Sequence, residues 1–391
     1  MLVGVTSFVT FRAARRAFED ESFITKSNKI SFNEEKVDEA LIAKFKDIKS
    51  RIESDFYLSY DENLLVDGAI RGMVDGLNDP YTKYYTKQQM KDRNNSLQGE
   101  YIGIGVEIAE QKEDYIRVGS VKDDTPAAYA GIIAGDKIVA IDGKNLSEYI
   151  DVNILDIFAE INRKIALELV RGEDSLNVEL TVSSIVEQSV FSEMIDDKIG
   201  YVRIAMFDAK VSKDFMTEID GLLTRGMKFM VLDLRHNNGG LASEMSRIAD
   251  SILPDGAMIY YERDNKNEKK QVKFSDAKAL NIPIVILVNG STASSAEILA
   301  SALKDNDMAK LVGTKTYGKA VSQVTIPYSD GTGLVLTISQ YFTKSEDNIQ
   351  GVGLTPDVVI EPLEEYKNTK VQYIPRESDV QLEEAIKVLT K

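Results

Sequence analysis

The stretch that most constrains this chain is an apolar run that passes through small residues into a helical pattern. Residues 284–288 are apolar, residues 290–295 are mostly small, and residues 298–303 have helical spacing. A short continuous apolar run of this kind is typical of a buried strand. Small residues at a strand-to-helix turn let a side chain or a ligand approach the backbone closely. The stretch therefore predicts a strand-turn-helix unit that could hold a reactive group.

Three residues in and after this unit form a candidate catalytic set. The chain has no cysteine and a single histidine, His236, so a hydrolase built on it is left with a Ser-Lys pair, a carboxylate pair or a metal. We predict that Ser294 is a nucleophile, that Lys319 is its base, and that Gln323 orients the base. Alternatively, Ser294 and Glu297 form only a helix-capping box, and Lys319 is a solvated surface charge.

The same residues resemble the Ser-Lys-Gln site of the carboxyl-terminal processing peptidases, also called tail-specific proteases. Ser294 begins a Ser-Ser-Ala-Glu-Ile run, Lys319 follows 25 residues later within Tyr-Gly-Lys, and Gln323 lies four residues further on. Similar stretches extend over roughly residues 64–391. The resemblance implies a serine endopeptidase that recognises the carboxyl termini of exported proteins through a PDZ domain. It implies no metal and no cofactor.

A second motif of that family is similar to residues 233–240, although Asn238 stands where the family usually has proline. Exposed N–H groups at a glycine-rich strand-to-helix turn can face a developing oxyanion. We predict that the backbone N–H groups of Gly239, Gly240 and Ser295 hold the oxyanion. The alternative is that the glycines merely allow a tight turn.

Short strands between residues 98 and 182 resemble a PDZ domain, with a helix start at Pro126 and a tight turn at Asp142-Gly143. In such a domain a peptide adds to a free strand edge, and backbone N–H groups bind its terminal carboxylate. If Gly103 and Gly105 form only a β-turn, this groove is absent. The predicted peptide-binding residues are Ile102, Gly103, Ile104, Gly105 and Phe158.

A helix with apolar Leu155, Phe158 and Ile161 is predicted beside the groove. Arg163 lies at the end of this groove helix, at a place that resembles the position of an arginine by which family members link the PDZ domain to the active site. We predict that it gates the protease when a substrate tail binds. The alternative is a solvated helix end.

The helices at residues 33–77 and 379–390 carry apolar residues at helical spacing, and we predict that they pack between subunits of a homodimer. Residues 1–11 are apolar and uncharged, and arginines follow them. We interpret them as the remainder of a membrane anchor or signal, with a simple disordered or docking terminus as the alternative. We expect the protein to be exported from the cytoplasm to the bacterial cell envelope and to be anchored there by its amino terminus.

The predicted fold class is multidomain α+β, with a PDZ domain before a crotonase-like α/β protease core and helical segments at both ends. The formal net charge of −16 argues against nucleic acid as a partner. Two other functions stay open: a catalytically silent PDZ adaptor, and a crotonase-like acyl hydrolase. The predicted segments are an anchor and linker at 1–32, a helical dimerisation segment at 33–97, the PDZ domain at 98–182, the protease core at 183–362, and a helical tail at 363–391.

Overall fold

The computed structural model describes residues 39–149, 157–277, 279–367 and 369–390. The chain divides into two compact units, Met1–Val66 and Asp67–Lys391. The predicted anchor and linker at residues 1–32 lie outside the described residues. Of the helices in the described part, none is both long enough and apolar enough to cross a membrane.

The first unit contains helix α1 (Glu39–Asp55) and the start of helix α2 (Glu62–Asp75), both as the helical spacing of apolar residues predicts. Leu41, Phe45 and Ile48 on the apolar side of α1 are each about half exposed or more, counting only the residues that the structure describes. Side chains of this kind need a covering surface, and the described residues of the unit do not supply one.

The region that the sequence predicts to be a PDZ domain forms a sheet of order β3-β4-β5-β7-β8, with β6 beside β5 and a separate β2-β9 pair. Asp142 and Gly143 both have positive φ, at 51° and 74°, and form the predicted tight turn between β5 and β6. Strand β3 pairs only with β4, so its other side is an edge among the described residues. The elements of this region, after strand β1 (Lys83–Tyr85) and helix α3 (Lys87–Leu97), are β2 (Glu100–Gly103), β3 (Val106–Gln111), β4 (Ile116–Val121), α4 (Pro126–Tyr129), β5 (Lys137–Ile141), β6 (Lys144–Asn145), β7 (Lys164–Arg171), β8 (Asp174–Thr181) and β9 (Ser183–Val186).

The core that follows is built on a six-stranded sheet of order β10-β11-β12-β15-β16-β19, parallel except for β10. A βαβ arrangement of this kind explains the continuous apolar runs of the sequence, since both faces of the sheet are covered. Its elements are β10 (Val190–Met194), β11 (Ile199–Ile204), α5 (Val211–Thr224), β12 (Phe229–Asp233), α6 (Ala242–Ile252), β13 (Met258–Asp264), β14 (Lys269–Phe274), β15 (Ile284–Val288), α7 (Ser295–Asp305), β16 (Ala309–Gly313), β17 (Val321–Pro327), β18 (Gly333–Phe342), β19 (Val358–Val359) and α8 (Val380–Thr390).

Alternate residues of the central strand β15 point to opposite sides of this sheet. Ile284, Ile286 and Val288 are buried in one cluster with helices α5, α6 and α7. Val285 and Leu287 are buried in another cluster with α8. The core therefore has helices on both faces, and the carboxyl ends of its parallel strands lie at one edge.

Helix α8 corrects one expectation. We predicted from its apolar residues that it packs between subunits, but Leu382, Ala385 and Leu389 are buried against the sheet of their own chain. The helical period of a short segment reveals an apolar face but not which surface covers it, and here the sheet does so.

A second sheet, of order β1-β18-β13-β14 with β17 beside β18, was not anticipated. Its strand β1 comes from the segment ahead of the PDZ domain and pairs antiparallel with β18, with Lys83 opposite Val335. A chain segment that precedes the predicted PDZ domain is thereby part of the core that follows that domain.

Candidate active site

Ser294 lies at the turn between β15 and α7 with a strained backbone. Its φ and ψ are 58° and −124°, a conformation that residues other than glycine rarely adopt and that costs on the order of 1–3 kcal/mol. The preceding residue is held in place because Ala293 N donates to Asn237 O at 2.9 Å. A Cβ atom at Gly239 would lie 2.8 Å from the Ser294 Cβ, so glycine is required for the two loops to approach. Strain of this kind is typical of functional sites.

A buried carboxylate joins the Ser294 loop to the Lys319 loop. Oε2 of Glu297 accepts from the backbone N–H of Ser294 at 3.0 Å and from that of Lys319 at 2.8 Å. Its Oε1 accepts from Thr316 Oγ1 at 2.5 Å and from Gly318 N at 2.8 Å. Burial raises the pKa of Glu297, and these four hydrogen bonds oppose that rise. The sequence predicted only the capping contact to Ser294; the contacts to residues 316–319 come from the fold.

The amine of Lys319 is partly buried and contacts Gln323. Lys319 Nζ donates to Gln323 Oε1 at 3.3 Å. Burial lowers the pKa of Lys319, the charges of Arg93 and Lys83 lower it further, and Asp79 opposes them. A lowered pKa is what a lysine needs to act as a base, because only its neutral form accepts a proton.

The predicted oxyanion donors differ in whether they are free. Gly239 N donates to the Asn237 side chain at 2.8 Å, so this N–H is already used. Among the described residues, the N–H groups of Gly240 and Ser295 have no acceptor. Ser295 N lies 3.1 Å from the place where a Cβ of Gly239 would stand, so it opens onto the glycine turn. Gly240 and Ser295 are therefore better placed as donors than Gly239.

His236, the one histidine, lies in the same loop but faces Asn289. Asn289 Oδ1 accepts from His236 N at 3.0 Å, and Asn289 Nδ2 lies 3.1 Å from His236 Nε2. Burial lowers the pKa of His236, which favours a neutral ring. Its contacts fix the loop backbone.

The predicted peptide-binding residues surround the start of strand β3. Gly105 has a φ of 91°, and a Cβ there would lie 2.2 Å from Thr125 Oγ1, so only glycine is accommodated. Ile104 and Phe158 are buried in the domain core, and Ile102 packs partly against it. Gly103 is buried at the end of β2. A peptide side chain would reach Ile104 or Phe158 only if the groove opened, and residues 150–156 of the predicted groove helix lie outside the described residues.

Arg163 is bound within the PDZ domain rather than to the candidate catalytic residues. Its guanidinium donates to Asp142 Oδ2 at 2.6 Å and to the Ile157 carbonyl at 3.1 Å. A link from Arg163 to the catalytic set would need this ion pair to break.

One residue near the lysine, Tyr81, was missed by the sequence analysis. Gln323 Nε2 donates to the backbone carbonyl of Tyr81, and the Tyr81 ring centroid lies 4.8 Å from Lys319 Nζ. Residues 76–82 are similar to a stretch that precedes the PDZ domain in the carboxyl-terminal processing peptidases, but this resemblance assigns no role to any of them. As for metals, the described residues contain no cluster of three or more His, Asp or Glu side chains able to hold an ion.

Comparison with protein-family models identifies three parts of the chain. Residues 198–360 match "Peptidase family S41", residues 101–182 match "PDZ domain", and residues 1–89 match "Activating protease CtpB N-terminal domain". The class of protein is therefore a peptidase that carries a PDZ domain ahead of its catalytic domain. This confirms the predicted order of a PDZ domain followed by a mixed α/β protease domain.

Relatives over nearly the full length narrow the class. A carboxy-terminal-processing protease of Bartonella bacilliformis is 33% identical, covering 95% of this chain and 93% of that protein. The carboxy-terminal processing protease CtpA of Bacillus subtilis is also 33% identical, over 80% of this chain and 67% of that protein. A solved photosystem II D1 C-terminal processing protease shares the fold, with a TM-score of 0.52 and 24% identity over 99% of this chain and 98% of that chain. The chain belongs to the carboxy-terminal processing proteases of peptidase family S41, as the sequence motifs predicted.

Proposed function

We propose that this chain is a serine endopeptidase in which Ser294 is the nucleophile, Lys319 the base, and Gln323 the group that orients the base. The observation that carries the proposal is the partly buried Lys319 amine, whose pKa is lowered and whose Nζ donates to Gln323 at 3.3 Å. Support also comes from Glu297, which holds the backbone N–H groups of Ser294 and Lys319 on one oxygen. An amide is a suitable orienting group, because it accepts a hydrogen bond without the charge that would raise the pKa of the lysine.

The proposed reaction has two halves. Ser294 Oγ bonds to the scissile carbonyl carbon while its proton moves to Lys319 Nζ, and the negative oxygen accepts hydrogen bonds from Gly240 N and Ser295 N. When the intermediate collapses, the C–N bond breaks and the leaving amine takes the proton from Lys319. Water then attacks the acyl ester, gives a proton to Lys319, and releases the new carboxyl terminus. The same proton returns to Ser294 Oγ and regenerates the site.

Recognition of substrate carboxyl termini is the second part of the proposal. The free edge of β3 offers backbone groups to which an extended peptide can add. Ile102, Gly103, Ile104 and Gly105 lead into that edge. We propose that a bound tail gates the protease through Arg163 after its pair with Asp142 breaks; a tail peptide that stimulates the Arg163→Ala variant as much as the wild type would exclude this route.

Assembly and location are further proposals. The exposed apolar side chains of α1, such as Phe45 at 55%, support a homodimer in which the amino-terminal helices meet. A full-length protein that is monomeric by light scattering at micromolar concentration would contradict it. The apolar residues 1–11 and the absence of cysteine support export to the cell envelope with anchoring by the amino terminus. Fractionation of cells that express the full chain tests this, and a wholly cytoplasmic distribution would exclude it.

The decisive experiment compares degradation of one unfolded test protein with an apolar carboxyl terminus. We expect Ser294→Ala and Lys319→Ala each to lower kcat/KM by at least about a thousandfold, and the double variant to lose no more, because residues of one catalytic unit are not additive. Ser291→Ala, which changes an exposed serine in the same loop, is the matched control and keeps full activity. Undiminished cleavage by Lys319→Ala would remove the proposed mechanism. Inactivity of the wild type towards every unfolded protein would favour the silent PDZ adaptor.

A further inference from the structure

Tyr81 contacts both the proposed base and its orienting group, although it precedes the PDZ domain in the chain. The ring centroid lies 4.8 Å from Lys319 Nζ, and the backbone carbonyl accepts a hydrogen bond from Gln323 Nε2. Gln323 in turn accepts from Lys319 Nζ at 3.3 Å. The three residues therefore form one connected group.

The position of Tyr81 is set by the protease core. Asp79 Oδ1 accepts from Tyr81 N at 3.1 Å, and its Oδ2 accepts from Thr82 N at 3.1 Å, which fixes a tight turn. The buried Thr82 hydroxyl accepts from Thr337 N at 3.1 Å, and β1 then pairs with β18. The turn is thus held by the Thr82 hydroxyl and by main-chain pairing to β18, which also pairs with β17, the strand of Gln323.

The hydrogen bond to the Tyr81 carbonyl decides which end of the Gln323 amide faces the lysine. A carbonyl can only accept, so it binds the NH₂ end of the side chain. The Oε1 end is then left to accept from Lys319. With the amide reversed, two donors would face each other and the lysine would lose its acceptor.

We propose that Tyr81 is a positioning residue of the Ser-Lys site, whose ring covers the Lys319 amine and whose carbonyl fixes the orientation of Gln323. The segment ahead of the PDZ domain thus completes the site. This inference rests on the proposed Ser-Lys chemistry and adds a residue that acts through Lys319 and Gln323 rather than on the substrate.

The ring has two opposite effects on the lysine. It keeps water from the amine, which disfavours the charged form, and its face attracts a cation, which favours that form. Burial is the largest cause of the lowered pKa of Lys319; Arg93 on α3 and Lys83 on β1 lower it further, and Asp79 in the turn raises it. Glu297 contributes its contact to the Lys319 backbone. We therefore expect loss of the ring to raise the pKa.

The test is the pH dependence of kcat/KM on the unfolded test protein. For Tyr81→Ala we expect the midpoint of the acid limb to move up by about one pH unit, which lowers kcat/KM about tenfold on that limb, with the loss in kcat rather than KM. Tyr81→Phe retains the ring and the backbone carbonyl, and its midpoint stays at the wild-type value. Tyr85→Ala, which removes a partly buried ring from the adjoining strand β1, is the matched control and leaves the midpoint in place.

An unmoved midpoint in Tyr81→Ala, or one that moves down, overturns the proposal. If Tyr81→Ala loses the wild-type circular dichroism spectrum, Tyr81→Val, whose short side chain leaves the amine uncovered, takes its place: an upward shift supports the proposal and an unmoved midpoint overturns it. Failure of the Ser-Lys function is recognised separately, by cleavage that persists in Ser294→Ala. An inactive Ser294→Ala together with an unmoved Tyr81→Ala midpoint removes only the role of Tyr81.

Discussion

Arg235 and Glu297 are two buried charged groups near the carboxyl ends of strands in the same sheet, and they are stabilised in opposite ways. Arg235 is paired with two carboxylates, Asp233 at 2.6 Å and Asp379 at 2.7 Å. Glu297 has no ion pair within the described part of the chain, and its four contacts are backbone N–H groups and one hydroxyl. The first arrangement satisfies its own charges. In the second arrangement, only the dipoles of N–H groups and a hydroxyl offset the negative charge of Glu297. Glu297 also joins the two loops that carry Ser294 and Lys319.

Two carboxylates of these sites, Glu297 and Asp379, accordingly have pKa values that shift in opposite directions. Burial raises the pKa of Glu297, and its hydrogen bonds only reduce the rise. Burial would also raise the pKa of Asp379, but the hydrogen bonds and charge of Arg235 outweigh burial and lower it. A buried carboxylate that is kept without a cation beside candidate catalytic residues indicates a functional constraint, because an ion pair would be the ordinary way to satisfy it.

The largest effect on stability is expected from Arg235→Ala. The substitution leaves Asp233 and Asp379 buried without a cation, and breaking a buried pair in this way costs about 3–5 kcal/mol. Urea unfolding followed by circular dichroism measures the loss. Arg376→Ala is the matched control, since the exposed pair of Arg376 with Glu193 at 3.5 Å is worth less than about 1 kcal/mol. A loss below 1 kcal/mol for Arg235→Ala would show that the ion cluster does not hold the tail against the core.

The Arg235 cluster also shows where sequence reasoning stops. Asp233 and Arg235 lie two residues apart in one motif, so the local sequence can indicate that they pair. Asp379 lies 144 residues away, and no local pattern indicates that it meets Arg235. The sheet formed by β1, β13, β14, β17 and β18 was missed for the same reason. Strand pairing across long separations leaves little trace in spacing.

Recognition of short motifs and local periodicity accounts for what the sequence did predict. The Ser294 turn, the strand before it and the helix after it are contiguous, and Lys319 and Gln323 lie in one short stretch, so their patterns are readable. Glu297 was interpreted only through its local capping contact. Its reach to residues 316–319 depends on how β15 and β16 pair, which is decided by tertiary structure.

A smaller loss of stability and a large loss of activity are expected from Glu297→Gln. The amide has one carbonyl oxygen, so at least two of the four donors lose their acceptor, at about 1–3 kcal/mol in total. Displacement of the Ser294 and Lys319 loops should lower kcat by about a hundredfold. Thr316→Val, which removes one donor and leaves the carboxylate, is the control and should retain most activity. Wild-type kcat in Glu297→Gln would mean that the carboxylate does not position the loops.

The pKa values of Glu297 and Asp379 shift in opposite directions, so the two carboxylates make the unfolding free energy depend on pH in opposite ways. The pKa of Glu297 is raised, so the wild type loses stability as pH rises through the range above 4.5. The Glu297→Gln variant has no such group, so its unfolding free energy comes closer to that of the wild type as the pH rises. The pKa of Asp379 is lowered, so its contribution is complete above 3.8 and is lost only below that value. Urea unfolding between pH 5 and 8 measures this. The difference in unfolding free energy between the wild type and Glu297→Gln should narrow as the pH rises, and the difference between the wild type and Asp379→Asn should stay constant. Parallel behaviour of the two would contradict the comparison.

The smallest effect is expected at a third charged contact, which lies at the surface. Lys370 Nζ lies 2.9 Å from Glu107 Oε1, with side chains 59% and 36% exposed, and Tyr373 also donates to Glu107. Burial would raise the pKa of Glu107, but Tyr373 and Lys370 lower it. The contact joins the PDZ strand β3 to the tail segment. Water and salt screen an exposed pair, so its net value is at most about 1 kcal/mol.

Lys370→Ala therefore tests whether burial, rather than the number of charges, decides how much the sites of Arg235, Glu297 and Lys370 contribute to stability. We expect its unfolding free energy to stay within about 1 kcal/mol of the wild type, and the difference to vanish at high salt. Lys367→Ala is the matched control, because within the described ranges Lys367 pairs only with the nearby Glu364, at 2.5 Å. A salt-independent loss as large as that of Arg235→Ala would mean that the surface contact between β3 and the tail is as strong as the buried cluster. Burial would then not be the property that distinguishes these sites.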